Sequence, residues 1–101
     1  MFPEMPSGEN VTRQVLADSA DLMTVRFRFL VTGAEGALHH HSHVQSTFVQ
    51  SGRFRFTLGE DAFEVGPGDA FIIPSNNVHG CICLEPGVLI DGFTPRRDDF
   101  L

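Results

Sequence analysis

A chain of 101 residues that is 42% apolar and carries a formal net charge of −6 fits one compact acidic domain. That charge argues against nucleic acid or an anionic membrane surface as a partner, and no apolar run approaches the roughly 18 residues of a membrane span. Lysine, tyrosine and tryptophan are absent, which excludes catalysis by a Schiff-base lysine or by a tyrosine acid or base.

Short β-rich runs separated by turn residues follow one another along the chain. The predicted strands are 11–17, 22–31, 46–50, 53–58, 62–65, 70–74, 81–84 and 88–93. Ser51-Gly52 between the third and fourth runs predicts a hairpin, and "EPG" predicts a turn before the last strand. A helical turn is expected only in the tail "PRRDDFL". Eight or so short strands with glycine turns predict an all-β sandwich or small barrel.

The domain organisation follows from this even spacing of strands. We expect one domain over residues 1–101, in which 1–10 is flexible or forms an edge strand and 94–101 is a tail. The amino terminus lacks the basic start and apolar stretch of a signal peptide, so a soluble, cytoplasmic protein is expected. A short barrel leaves strand edges exposed, so we also expect a homodimer to which residues 11–31 contribute.

A run of histidines interrupts the strand pattern in the segment "GALHHHSHVQ". Four of the five histidines in the chain fall in this run: His39, His40, His41 and His43. Alternate side chains of a strand share a face, so a His-x-His metal site could use His39 with His41 or His41 with His43. Gln45 continues the same face, and the fifth histidine, His79, lies far downstream in "PSNNVHG".

Both histidine segments resemble the two motifs of the cupin superfamily. The first motif is Gly, five residues, His-x-His, three or four residues, Glu, six residues, Gly. The matching positions are Gly33, His39, His41, Gln45 and Gly52, with Gln in the Glu place. The second motif is Gly, five residues, Pro-x-Gly, two residues, His, three residues, Asn. It is matched by Gly68, Pro74, Asn76, His79 and Cys83, with Asn76 in the second Gly place and Cys83 in the Asn place.

The resemblance implies a jelly-roll β-barrel that holds one divalent transition metal ion. The implied ligands are His39, His41, Gln45 and His79. The other register would leave Thr47 or Phe48 in the fourth ligand place, and neither suits a metal. Imidazole and amide ligands are compatible with Ni, Zn, Fe or Mn. A neutral Gln leaves the ion its full double charge, which favours an anionic substrate.

A narrower resemblance covers about residue 20 to the end. "HVQSTFVQSGRFRFTLG", "HGCICLEPGVLIDGFTPRRDDFL" and the Gln ligand resemble the small uronate-ketonising cupins (KdgF type) of pectin and alginate breakdown. That family converts unsaturated monouronates, released by lyases, into linear keto-uronates. In it a strand Asp, a Phe two residues on and an Arg four beyond sit by the metal, the pattern of Asp91, Phe93 and Arg97. A small anionic sugar acid is the implied substrate.

These residues have other interpretations that the sequence leaves open. Asp91 is the candidate proton shuttle, with His43 as a second candidate, but an Asp at a strand end also faces water in many proteins. Arg97 could bind a substrate carboxylate bidentately or pair with Asp98 or Asp99 in a solvated tail. Phe93 and His43 are the other candidate substrate contacts.

Two other kinds of function compete with the ketonising enzyme. The first is another mononuclear metal cupin enzyme, a dioxygenase or an isomerase, for which the same ligands would serve. The second is a non-catalytic cupin that binds a sugar or a small acid. Loss of the conjugated-alkene absorbance of an unsaturated uronate would distinguish the ketonising enzyme from both.

Overall fold

A computed structural model describes residues 2–101, which form eight β-strands and one 3-10 helix. The elements are β1 (Met5–Pro6), β2 (Val11–Asp18), β3 (Met23–Phe29), β4 (Glu35–His39), β5 (Val44–Leu58), β6 (Asp61–Val65), β7 (Ala70–Ile73), β8 (His79–Thr94) and the 3-10 helix Asp98–Phe100. Every strand pair is antiparallel. The all-β prediction is confirmed, and the helical turn lies in the predicted tail. Within residues 2–101, no helix has the length and apolar character that crossing a membrane requires.

The long strands β5 and β8 organise the fold. They pair along their whole length, from Val44 opposite Thr94 to Leu58 opposite His79. The strands β7, β3, β2 and β1 extend the first half of β5 and the second half of β8 into one layer. The strands β6 and β4 extend the other two halves into a second layer. Phe29 and Phe54, on strands that do not pair, meet edge to face with ring centroids 5.1 Å apart, so the two layers enclose a common core.

The two predicted turns inside β5 and β8 are wrong. Neither Ser51-Gly52 nor the segment 85–87 reverses the chain, and both strands continue through them. The two turn signals lie opposite each other, with Ser51 paired to Val88 and Arg53 to Glu85, and the register shifts on either side. Irregular pairing of this kind bends strands and increases their twist. The glycines therefore bend a pair of strands together.

The bend also changes which side chains of β5 face the core. Gln45, Thr47 and Val49 are buried before it, whereas Phe54 and Phe56 are buried after it. An extra residue reverses the alternation of a strand, because side chains alternate between its faces. One end of the interior is consequently lined by polar groups of β5 and the other by phenylalanine.

Gly52 is required at this bend by its backbone and by its neighbours. Its φ is +79°, and a Cβ there would lie 2.6 Å from the Glu85 carbonyl oxygen and 2.7 Å from the Gly87 Cα. We expect Gly52→Ala to lower the free energy of unfolding by roughly 2–4 kcal/mol, because backbone strain and a steric clash add. Denaturant unfolding measures the change.

Gly59 provides a matched control for this prediction. Its φ is +59°, but nothing lies within 4 Å of an added Cβ. Gly59→Ala should therefore meet only left-handed strain, about 1 kcal/mol. Equal losses of stability in the two variants would mean that close packing of the bend contributes nothing.

Candidate metal centre and active site

Three histidines from three segments meet at the polar end of the interior. His39 is the last residue of β4 and pairs with His79, the first residue of β8, while His41 lies in the loop after β4. One ligand atom of each lies within 4.8 Å of those of the other two. Because the chain leaves the sheet after His39, His41 reaches the cluster from a loop rather than by strand alternation. His40 is exposed and is not part of the cluster.

Backbone carbonyls orient all three imidazole rings. The Nδ1 atoms lie 2.8 Å from Ala37 O for His39, 3.0 Å from His43 O for His41 and 2.8 Å from Asn77 O for His79. A carbonyl oxygen only accepts hydrogen bonds, so each neutral ring carries its proton on Nδ1 and its lone pair on Nε2. The buried Nε2 of His79 has no hydrogen-bond partner within the described range, residues 2–101. This is the arrangement in which imidazoles bind metal ions.

Burial also favours the neutral form of two of the rings, His79 and His41. It lowers the pKa of His79 to about 4, and the nearby rings of His39 and His41 lower it further, against the opposing hydrogen bond to Asn77. Burial likewise lowers the pKa of His41. A neutral ring is the form that can donate a lone pair to a metal.

Gln45 supplies a fourth potential metal-ligand atom, its amide oxygen, beside the histidines. Its side chain is buried, and its Nε2 donates to Thr47 Oγ1 at 3.0 Å and to Asp91 Oδ2 at 3.2 Å. The amide oxygen Oε1 then faces the Nε2 of His41, 3.0 Å away. Both atoms carry lone pairs when His41 is protonated on Nδ1, so two acceptors face each other. Such a pair is stabilised by a cation between them, and the donor set of three imidazoles and an amide oxygen fits a divalent transition metal.

Asp91 points into the interior and not towards water. It lies on β8, paired with Thr47 of β5 on one side and with Val25 of β3 on the other. Only 5% of the residue is exposed, and none of the residues that the structure describes, 2–101, forms a hydrogen bond with its Oδ1. Burial raises the pKa of Asp91 to about 7, while hydrogen bonds from Thr47 and Gln45 and the charge of Arg97 oppose that shift.

Phe93 and Arg97 follow Asp91 towards the mouth of the site. Phe93 is buried, with its ring centroid 5.8 Å from that of His41. The Arg97 guanidinium carbon lies 5.2 Å from the Phe93 ring centroid and 4.2 Å from that of Phe100. Arg97 also donates from Nε and Nη2 to the two carboxylate oxygens of Asp99, at 3.0 and 2.8 Å. It is thus paired with a tail carboxylate and still lies at the site.

A cavity of about 320 Å³ connects these groups. The polar and aromatic residues that line it include His39, Gln45, His79, Asp91, Phe93 and Arg97. Apolar side chains such as Phe27 and Leu89 form other parts of its wall. The cavity therefore combines a potential cation site, a buried carboxyl group and a guanidinium, which together suit a small anionic molecule.

His43 is not among the residues that line this cavity, although its ring centroid lies 5.4 Å from that of His41. Its Nε2 lies 3.0 Å from the Arg96 carbonyl oxygen, so the ring is tied to the tail. Sequence analysis considers Thr47 only as a metal ligand in the other register, where it does not suit. The structure shows Thr47 fully buried and accepting a hydrogen bond from the amide of Gln45. The sequence signal for this contact was its place two residues after Gln45 on one strand, which puts both polar groups on the same face.

Comparisons with known proteins agree with this architecture. A family model described as "Cupin domain" (Cupin_2) matches residues 26–93. "Pectin degradation protein KdgF" of Dickeya dadantii is 38% identical over 96 residues, covering 93% of this chain and 86% of that protein. The solved structure of KdgF from Halomonas sp. has a TM-score of 0.92 at 38% identity, covering 98% of this chain and 91% of that one. An RmlC-like cupin from Shewanella frigidimarina has a TM-score of 0.93 at 35% identity, covering 99% and 89%.

Proposed function

The chain belongs to the cupin family and has the predicted cupin fold, and from this membership we propose that it is a metal-dependent enzyme acting on unsaturated monouronates. The proposed product is the linear keto-uronate, formed by ring opening and ketonisation. Similarity to two KdgF proteins, one named for pectin degradation, supports this substrate class. We also propose that the enzyme works in the cytoplasm, where its two free, buried cysteines would stay reduced.

The metal proposal rests on the closeness of the potential ligand atoms. Ligand atoms of the three histidines lie within 4.8 Å of one another, and the amide oxygen of Gln45 lies 3.0 Å from His41 Nε2. The proposed ligands are His39, His41, Gln45 and His79. When bound, a divalent ion such as Ni, Zn, Fe or Mn would supply Lewis acidity to oxygen atoms of the substrate that gain negative charge. Backbone carbonyls hold the rings of the histidines, and Thr47 and Asp91 hold the amide of Gln45, so the ligand set is oriented before anything binds.

The proposed reaction needs a proton to move and no electron acceptor. The substrate is a cyclic hemiacetal whose ring oxygen is attached to the double bond, beside the carboxylate. Removal of the anomeric hydroxyl proton forms the aldehyde C=O and breaks the bond between the anomeric carbon and the ring oxygen. The electron pair leaves on that oxygen as an enolate, and protonation of the neighbouring alkene carbon gives the ketone. Atoms and charge balance without oxidation.

Asp91 and Arg97 are the chain's own groups for these steps. The unpartnered Oδ1 of Asp91 belongs to a residue that lines the cavity and can exchange a proton with the substrate. Arg97 can bind the substrate carboxylate. Phe93 forms an apolar wall between them that excludes water from the reacting carbons.

Product analysis tests the function against its rivals. Protein is incubated with the unsaturated monouronate. Proton NMR should show loss of the alkene signal and the appearance of signals from the aldehyde hydrate and from the methylene group formed beside the new ketone. Saturated D-glucuronate is the matched control and should remain unchanged. Oxygen consumption during the reaction would instead favour a dioxygenase, and binding without turnover would favour a sugar-acid-binding cupin.

We further propose that the protein is a homodimer to which residues 11–31 contribute. The edge strand β1 pairs only with Thr12 and Arg13, which leaves the rest of β2 unpaired on that side among residues 2–101. Exposed strand edges favour association with another chain. Light scattering on the protein at micromolar concentration should give twice the mass of the chain, and a monomer would remove the proposal.

A further inference from the structure

The guanidinium of Arg97 uses only one of its two carboxylate-binding edges. Asp99 occupies the edge formed by Nε and Nη2, with contacts of 3.0 and 2.8 Å. A planar guanidinium has five N–H donors and presents a second bidentate edge formed by Nη1 and Nη2. Among residues 2–101 no protein group accepts a hydrogen bond from Nη1 of Arg97. That edge remains available for a second carboxylate.

The position of Arg97 is fixed from several sides. Its side chain is 13% exposed, whereas that of Asp99 is 60% exposed. The guanidinium contacts the rings of Phe93 and Phe100, and Phe100 packs edge to face against Phe93 and Phe27 with centroid distances of 5.8 and 5.9 Å. The tail is thereby anchored on the interior, and Asp99 reaches Arg97 from the solvent side.

We propose that Asp99 is a positioning residue that holds the Arg97 guanidinium by its Nε–Nη2 edge, so that the Nη1–Nη2 edge is presented to the carboxylate of the uronate. This inference rests on the proposed function for the identity of the substrate. Arg97 lines the cavity together with Gln45 and His79, so Arg97 lies at the same site as the candidate metal ligands. A carboxylate bound there would be oriented by two parallel hydrogen bonds.

The charge of the pair supports this role. Hydrogen bonding and attraction to Arg97 lower the pKa of Asp99, so its carboxylate stays ionised through neutral pH. An ionised Asp99 restrains a side chain that otherwise has many rotamers, and restraint reduces the entropy lost when the substrate binds. If the substrate instead displaced Asp99, removing that carboxylate would strengthen binding. The two arrangements therefore predict opposite changes in KM.

Steady-state kinetics with the unsaturated monouronate shows whether KM rises or falls. Asp99→Ala should raise KM about tenfold and change kcat by less than about threefold, because substrate binding loses a preorganised contact. Asp99→Glu, which keeps the carboxylate, should restore part of the loss. Asp98→Ala is the matched control: Asp98 is exposed, adjacent and without a side-chain hydrogen bond among residues 2–101. An unchanged or lowered KM in Asp99→Ala, or an equal rise in Asp98→Ala, would overturn the proposal.

A second measurement needs no turnover. In nitrogen-15 NMR, the Nε–H signal of Arg97, assigned by its absence in Arg97→Lys, should be sharp in the parent protein and broadened or lost in Asp99→Ala. A mobile Arg97 in the parent protein would overturn the positioning role whatever the reaction. A parent protein that leaves the uronate unchanged but shows the ordered signal would defeat the proposed function and leave the positioning role of Asp99 intact.

Discussion

Asp91→Asn is expected to cut turnover of the unsaturated uronate about 100-fold or more, the usual scale of general acid–base catalysis. The replacement keeps the shape of the side chain, and its amide oxygen can still accept the hydrogen bond from Gln45 that Asp91 Oδ2 accepts at 3.2 Å. What it removes is the ability to exchange a proton from a buried, otherwise unpartnered oxygen. Initial rates at saturating substrate measure the change in kcat.

Two controls accompany the Asp91 variant. Its metal content should equal that of the parent protein, because the carboxyl group is not among the proposed ligands. Asp98→Asn changes the same charge at an exposed position and should leave kcat unaltered. Ketonisation by Asp91→Asn at the parent rate would refute the assignment of the proton shuttle, although the metal site would survive.

His79→Ala is expected to lower the metal content per chain about tenfold or more, because one of three imidazole ligands is removed from a four-donor site. Its Nε2 is buried and has no hydrogen-bond partner among residues 2–101, and the contact between Nδ1 and the Asn77 carbonyl oxygen aims Nε2 at the other rings. Elemental analysis of protein dialysed against metal-free buffer measures the loss.

His40→Ala provides the comparison within the same histidine run. His40 is exposed and lies outside the cluster of His39, His41 and His79. Its replacement should leave the metal content near that of the parent protein. Equal losses in the two variants would mean that the ligand set assigned to the run is wrong.

Much of the fold follows from the sequence because strand alternation and turn residues are local signals. They predicted the strands in β2, β3, β6 and β7 to within a few residues. The bends in β5 and β8 were missed because Gly52 and Gly87 are turn residues by composition alone. In the structure the two glycines lie opposite each other, and neither position has room for a Cβ atom. This close approach of the two strands forms a bend instead of two hairpins. Pairing across the sheet is not visible in either segment by itself.

In the candidate site, too, some features could be predicted from the sequence and others depend on contacts between distant segments. The resemblance to the two cupin motifs selected His39, His41 and His79, because spacing alone left two registers open. The structure brings these three residues together although His41 lies in a loop. The direction in which the side chains of the site point could not be predicted from the sequence. Whether Asp91 points inward depends on its register with Thr47 and Val25. The sequence left two possible partners for Arg97, a substrate carboxylate or an acidic residue of the tail. In the structure Asp99 binds the Nε–Nη2 edge of the guanidinium, so the Nη1–Nη2 edge can still bind a substrate.

The most direct test of the account is the ultraviolet absorbance of an unsaturated monouronate mixed with the protein. Protein loaded with a divalent transition metal should remove the conjugated-alkene absorbance, chelation of the metal should stop the loss, and restoring the metal should resume it. Absorbance that stays constant with fully metal-loaded, folded protein would contradict the proposed reaction. A loss that continues unchanged after complete removal of the metal would contradict the role assigned to the histidine and glutamine site.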